Sequence, residues 1–180
     1  MTALPEGLTQ GTWTLDASHT AAAFTVRHAG ISKTRGQFED VAGQMIVGET
    51  LEDTRISAEI QIDSLTTGNN DRDQHLKSAD FFDAEQFTAM VFTSTSFDGE
   101  TLKGDLTIKD VTKSVELNVE FEGAATDPFG TYRAGFSGTT EISRKEFGLT
   151  WNAALEAGGV LVGDKVKITI DSEFTAPTAA

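Results

Sequence analysis

An all-β fold of antiparallel strands, closed as a barrel or stacked as a sandwich, is what this chain of 180 residues predicts. Three observations carry that reading. Apolar and polar side chains alternate with a period of two, most cleanly in Val115-Glu116-Leu117-Asn118-Val119-Glu120-Phe121-Glu122. The alternation is one-sided, whereas strands covered on both faces, as in parallel sheets, read as unbroken apolar runs. Turn-forming pairs such as Asp98-Gly99 separate the alternating runs.

The elements follow in order. Phe24 to His28 is the first candidate strand, and Phe38 to Val47 the second. Phe38 is even while Val41, Met45 and Val47 are odd, so the parity changes near Glu39-Asp40 and predicts a bulge there. Ile56 to Asp63, Phe87 to Phe97, Leu102 to Ile108, Val115 to Glu122, Tyr132 to Ile142 and Val166 to Asp171 bring the total to about eight. Asp98-Gly99 gives a strong two-residue hairpin signal; Lys109-Asp110 and Asp127-Pro128 give weaker ones.

One stretch, Thr67 to Lys77, breaks the pattern. Asn70 can cap a helix, and Asp71 and Asp73 suit its positive end, which predicts a short helix over residues 71–77. A turn through Ser78-Ala79-Asp80-Phe81-Phe82 follows, so the helical segment as a whole lies near residues 70–82. Phe81 and Phe82 either close the mouth of a barrel or anchor an ordinary core. Residues 12–174 form a single domain, with 1–11 and 175–180 as loose tails.

Composition removes several function classes. Lys and Arg number 14 against 28 Asp and Glu, a formal charge of −14 that repels nucleic acid and disfavours an anionic membrane surface. Without cysteine there is no disulfide, thiolate metal site or thiol nucleophile. His19, His28 and His75 fall in separate elements, with no HExxH or HxH spacing. Asp71 and Asp73 resemble the start of a calcium loop, but Phe82 stands where its twelfth-position Glu belongs. Gly135-Phe136-Ser137-Gly138 lacks the spacing of a nucleophile elbow. The expectation is a binding protein, not an enzyme, with no cofactor. The N-terminus as given has no basic and apolar leader pattern, and no apolar run is long enough to span a bilayer. A cytoplasmic location without stable membrane insertion is expected.

A set of residues then resembles a known family. Trp13-Thr14-Leu15-Asp16, His19-Thr20, Phe24, Val26, His28 and Gly36-Gln37-Phe38 are similar to the N-terminal signature of the YceI-like (polyisoprenoid-binding, lipocalin-like) family. Ser64 to Asn69, Arg72-Asp73, His75-Leu76 and Asp80-Phe81-Phe82-Asp83 are the most specific part of the resemblance. Phe92 with Ser94, Gly104 to Ile108, Val111-Thr112-Lys113, Arg144, Phe147-Gly148 and Gly163 to Val166 extend it over residues 12–174. Ala17 and Thr88 stand where proline is common in the family, and neither position carries chemistry.

The resemblance implies an eight-stranded antiparallel lipocalin-like barrel with a helical element at one end. It also implies a lumen that carries or stores a long-chain isoprenoid or other lipid-like ligand, such as an isoprenoid quinone, without catalysis. Strand parity nominates the lining: Phe24 and Val26; Phe38; Ile60 and Ile62; Met90 and Phe92; Leu106 and Ile108; Val119; Phe136. Phe81 and Phe82 join them at the mouth. His28 follows Val26 on the inward parity, where it bonds either a ligand head group or a neighbouring strand. Each buried CH₂ contributes about 0.8 kcal/mol, so affinity should come from the tail. A stress-related interaction barrel with a filled core is the alternative, and a monomer or a homodimer fits either reading.

Overall fold

The computed structural model describes residues 1–156 and 158–178. Eleven strands are present among the described residues: β1 (Gly11–Leu15), β2 (Ala21–His28), β3 (Ser32–Phe38), β4 (Val41–Val47), β5 (Arg55–Gln61), β6 (Leu65–Thr66), β7 (Ala89–Phe97), β8 (Thr101–Ile108), β9 (Val111–Thr126), β10 (Tyr132–Ser143) and β11 (Val162–Thr175). One α-helix, α1 (Asn70–Lys77), follows β6.

All pairings are antiparallel, and eight strands close a ring in the order β1-β4-β5-β7-β8-β9-β10-β11, sealed where Thr14 and Leu15 of β1 pair with Thr175 and Phe174 of β11. The three remaining strands extend the wall. After the turn Ala17–His19 the chain of β1 continues as β2, which pairs with the first part of β11. Likewise β3 continues into β4, and β5 into β6. Eight composite strands therefore run up and down in chain order, as an eight-stranded barrel requires.

Each composite break has a local cause. At Glu39-Asp40 the ladder is interrupted, not bulged, and both Phe38 and Val41 are buried, which accounts for the parity change. At Ile62–Ser64 a single 3₁₀ turn bends β5 away from its line. True register shifts fall elsewhere, at Ser94/Ser96, Gly135/Phe136 and Val162/Val166.

Two expected details are corrected. Asn69, not Asn70, caps α1: its side chain accepts from the Arg72 N–H at 3.0 Å while its own backbone stays extended. The two-residue hairpin is Lys109-Asp110, both at positive φ, with Ile108 facing Val111. Asp98-Gly99-Glu100 makes a three-residue loop, in which the Asp98 carboxylate accepts from the Glu100 and Thr101 N–H groups.

The two barrel ends differ. At one end lie the 29–31 turn, the 67–88 segment with α1, the Lys109-Asp110 turn and residues 144–156 and 158–161. The other end is stoppered by Trp13, fully buried, whose indole N–H donates to the Thr9 carbonyl. The N-terminal residues expected as a loose tail lie over this end: Leu8 is buried, and the Tyr132 hydroxyl donates to the Gly7 carbonyl at 2.8 Å. Of the expected C-terminal tail, Thr175 belongs to β11 and the Ala176 N–H donates to the Tyr132 carbonyl. Ala179 and Ala180 lie outside the described residues.

Candidate functional site

The barrel is hollow. A cavity of about 270 Å³ runs along its axis, from Arg144, Phe147 and Leu149 at the α1 end to Phe97, Leu102, Phe136 and Phe174 near the stopper. The inward side of the period-two pattern makes this wall: Met90 and Phe92 from β7, Leu106 and Ile108 from β8, Val115, Leu117 and Val119 from β9, Ile168 and Ile170 from β11.

Glycines help keep the space open. A Cβ at Gly36 would sit 2.4 Å from the Phe24 ring, and one at Gly104 would sit 2.4 Å from the Phe92 ring. Each ring lies against a glycine on the neighbouring strand, in space that a side chain there would take. At Gly138 the wall is bare: a Cβ there would meet only ordinary contacts, the nearest at 3.6 Å from Leu117.

Among the described residues Arg144 is the one ionic side chain lining the cavity; the other polar members are hydroxyl-bearing, such as Thr140 and Ser172. Arg144 is buried, and four backbone carbonyls hold it: Gly163 from Nε at 2.8 Å, Leu149 and Trp151 from Nη1 at 2.7 and 2.9 Å, and Val162 from Nη2 at 3.2 Å. Burial lowers its pKa, with the Asp164 charge opposing. Its guanidinium also lies 5.9 Å from the centre of the Phe81 ring.

Phe81, His75 and Trp151 pack edge-on or tilted at centroid distances of 4.6–5.5 Å and cap the α1 end. The segment before α1 is tied down at Thr67. Asp73, buried although on the helix, accepts from the Thr67 N–H and hydroxyl, while Arg72 donates to the Thr67 hydroxyl and carbonyl. Arg72 and Asp73 therefore fix the approach to the helix through a shared partner and do not pair with each other.

With barrel, lumen and capped end in place, the family can be decided. A YceI-like domain model matches residues 13–174. The chain belongs to the YceI-like family. A UPF0312 protein of Staphylococcus aureus strain USA300 is 36% identical over 166 residues, covering 91% of this chain and 96% of the relative. The crystal structure of a Campylobacter jejuni YCEI protein is similar at 28% identity and TM-score 0.68, over 84% of this chain and 90% of that one. At the level of the fold alone, Burkholderia cenocepacia BcnA matches with TM-score 0.75 at 19% identity, over 88% and 98% of the two chains. A polyisoprenoid binding domain from Saccharophagus degradans matches with TM-score 0.68 at 16% identity, over 92% and 98%.

Within this YceI-like barrel, twelve of the fourteen residues nominated from sequence border the cavity: Phe24, Val26, Phe38, Ile60, Phe81, Phe82, Met90, Phe92, Leu106, Ile108, Val119 and Phe136. Two do not. His28 is exposed, because β2 runs past the rim before its inward parity reaches residue 28. Ile62 is buried but lies in the 3₁₀ turn that leaves the line of β5, so it packs into the surrounding core and not the lumen. Sequence reasoning missed Arg144 as a lining residue, since it falls in the 3₁₀ turn Arg144–Phe147 beyond the alternation of β10, and it missed the glycine seats at Gly36 and Gly104, which only the cross-strand register reveals.

Proposed function

We propose that this protein holds the tail of a long apolar amphiphile, a polyisoprenoid or an isoprenoid quinone, in its lumen and so carries or stores it. The observation that carries the reading is the continuous apolar cavity, stoppered by Trp13 at one end and capped by aromatic side chains at the other. Small-molecule pockets commonly measure roughly 300–1,000 Å³, so a whole long chain needs more room than the empty lumen offers. Met45 and Met90, unbranched and adaptable, are the lining side chains suited to give way.

The tail lies toward Trp13 and the head toward the α1 end. Four of the five N–H groups of Arg144 already serve backbone carbonyls, so the head group contributes little and the tail most of the affinity. No His, Asp, Glu or Lys lines the cavity among the described residues, which favours binding over acid–base chemistry. Membership of the YceI-like family and the fold shared with the Saccharophagus degradans polyisoprenoid binding domain support the choice of ligand class.

Native mass spectrometry of gently purified protein, followed by organic extraction, tests the proposal. A stoichiometric adduct with the mass of a prenyl chain is expected. Protein that is clean of lipid, and that takes up neither a prenyl quinone nor a prenyl phosphate on incubation, would overturn it.

A further inference from the structure

We infer that the β2–β3 hairpin is a docking surface for anionic phospholipid bilayers, which places the mouth of the barrel against a membrane. No Asp or Glu occurs between Asp16 and Glu39, although the chain as a whole carries a formal charge of −14. Within that interval Arg27, His28, Lys33 and Arg35 are all exposed on the two strands of the hairpin. Arg27 stands directly opposite Lys33 in the ladder, an arrangement of like charges that costs stability in a free sheet. None of Arg27, Lys33 and Arg35 is in an ion pair among the described residues. A carboxylate in place of Arg27 or Lys33 would relieve the repulsion within the chain; an anionic surface would relieve it from outside.

Three of these groups line an open groove. His28, Lys33 and Arg35 border it with Thr67 and Arg72, beside the stretch of β3 from Ser32 to Gly36 that no strand among the described residues pairs on its outer side. A cationic, hydroxyl-bearing groove at the rim suits the phosphate of a lipid head group. The tip supplies the apolar part. Ile31 is 86% exposed at the end of the hairpin, and Val160 of the adjoining loop is 49% exposed. The tip is also held in place: Ala29 takes a positive φ of 53°, which is strained for a residue with a Cβ, and its N–H donates to the Leu161 carbonyl at 2.7 Å. An apolar tip ringed by basic side chains, at the lumen end, matches a surface with phosphates outside and hydrocarbon beneath. The overall negative charge does not oppose this, because screening over about 8 Å leaves only the nearest charges to act.

The inference goes beyond the lumen reading, and docking can be measured whether or not the lumen holds a ligand. The test is flotation of the full chain with vesicles of phosphatidylcholine alone and of phosphatidylcholine mixed with phosphatidylglycerol. Binding to the anionic vesicles only, falling with added salt, is expected. Each basic residue at such a surface is worth on the order of a five-fold gain in partitioning, so the R27Q/K33Q/R35Q variant should lose about a hundred-fold. I31S should lose several-fold. F129S, at an equally exposed apolar side chain in the 127–131 turn of the far end, should bind as the parent does. Circular dichroism identifies any variant that fails to fold, and the salt dependence of the parent stands independently of the variants. Basic side chains also guard an open strand edge against self-association. A triple variant that associates yet binds anionic vesicles like the parent overturns the inference, as does a parent that binds neither vesicle or both equally.

Discussion

Asp73 and Thr67 are joined twice: the carboxylate accepts from the Thr67 N–H at 2.9 Å and from its hydroxyl. Asp73 sits in α1 and Thr67 just beyond β6, so this pair fixes the angle at which the helix leaves the wall and lies over the lumen. Asp73→Ala leaves the half-buried N–H and hydroxyl of Thr67 without their acceptor, which should cost about 1–2 kcal/mol. Urea unfolding measures that loss. Amide exchange should locate it, with protection falling in residues 67–88 and persisting in β8–β10. A variant with unchanged exchange in 67–88 would show that α1 is held by packing alone.

Arg144 leads to a sharper prediction, because its role rests on shape as well as charge. The planar guanidinium reaches four carbonyls contributed by two stretches of chain, Leu149 and Trp151 on one side and Val162 and Gly163 on the other. A lysine keeps the charge but cannot span that fork. Arg144→Lys should therefore lose roughly 2–4 kcal/mol, leaving buried carbonyls unpaired. If Arg144→Lys unfolds at the same urea concentration as the parent, the fork contributes nothing beyond its charge.

The contrast between these residues explains what a reader of the sequence can and cannot obtain. Period-two alternation in Val115 to Glu122 is a direct image of the wall, since successive side chains must take opposite faces. Parity assigns a face but not a height along the axis, so Phe24 and Val26 border the lumen while His28, on the same parity, stands exposed beyond the rim. The strands β1 and the first part of β3 escaped notice because Gly11–Leu15 is short and Ser32–Gln37 is almost wholly polar. Arg144 and the seats at Gly36 and Gly104 depend on which strands meet, a long-range property that no local pattern encodes. The family resemblance supplied the closure into an eight-stranded barrel, where periodicity alone allowed a sandwich; that three of the eight are composite came only with the structure.

Acid should loosen the barrel at its seam. Arg133 on β10 bonds Asp16, which follows β1, and Asp127 in the turn before β10 at 2.8 Å, with Glu173 of β11 at 3.5 Å. The guanidinium beside them holds the Asp16 and Asp127 carboxyls below the ordinary carboxylate range, and they in turn raise the Arg133 pKa. A depressed carboxyl pKa contributes its stability above the unfolded value of about 3.9 and loses it as pH falls toward the folded one. Unfolding midpoints should thus be level near neutrality and decline below about pH 4. Arg133→Met should flatten that decline by returning both carboxyls toward their ordinary range. An equally steep decline in the variant would assign the acid response to other groups.

Gly104 and Gly138 separate a wall that must stay thin from a lumen that must stay empty. Both replace a side chain on an inward-facing strand, but their surroundings differ. At Gly104 a Cβ would press to 2.4 Å on the Phe92 ring and 2.7 Å on the Thr93 carbonyl, so Gly104→Ala must move the ring or the strand and should cost about 1–3 kcal/mol. At Gly138 nothing lies closer than 3.6 Å, so Gly138→Leu places its side chain in the cavity with little strain. Its stability should stay within about 1.5 kcal/mol of the parent. Uptake of a prenyl quinone, followed by co-elution with the protein, should fall at least on the order of ten-fold, the loss of affinity that about 1.4 kcal/mol of displaced tail contact entails. Full uptake by a folded Gly138→Leu protein would place the bound lipid outside the lumen, and the rim at the β2–β3 hairpin would then be the surface to search.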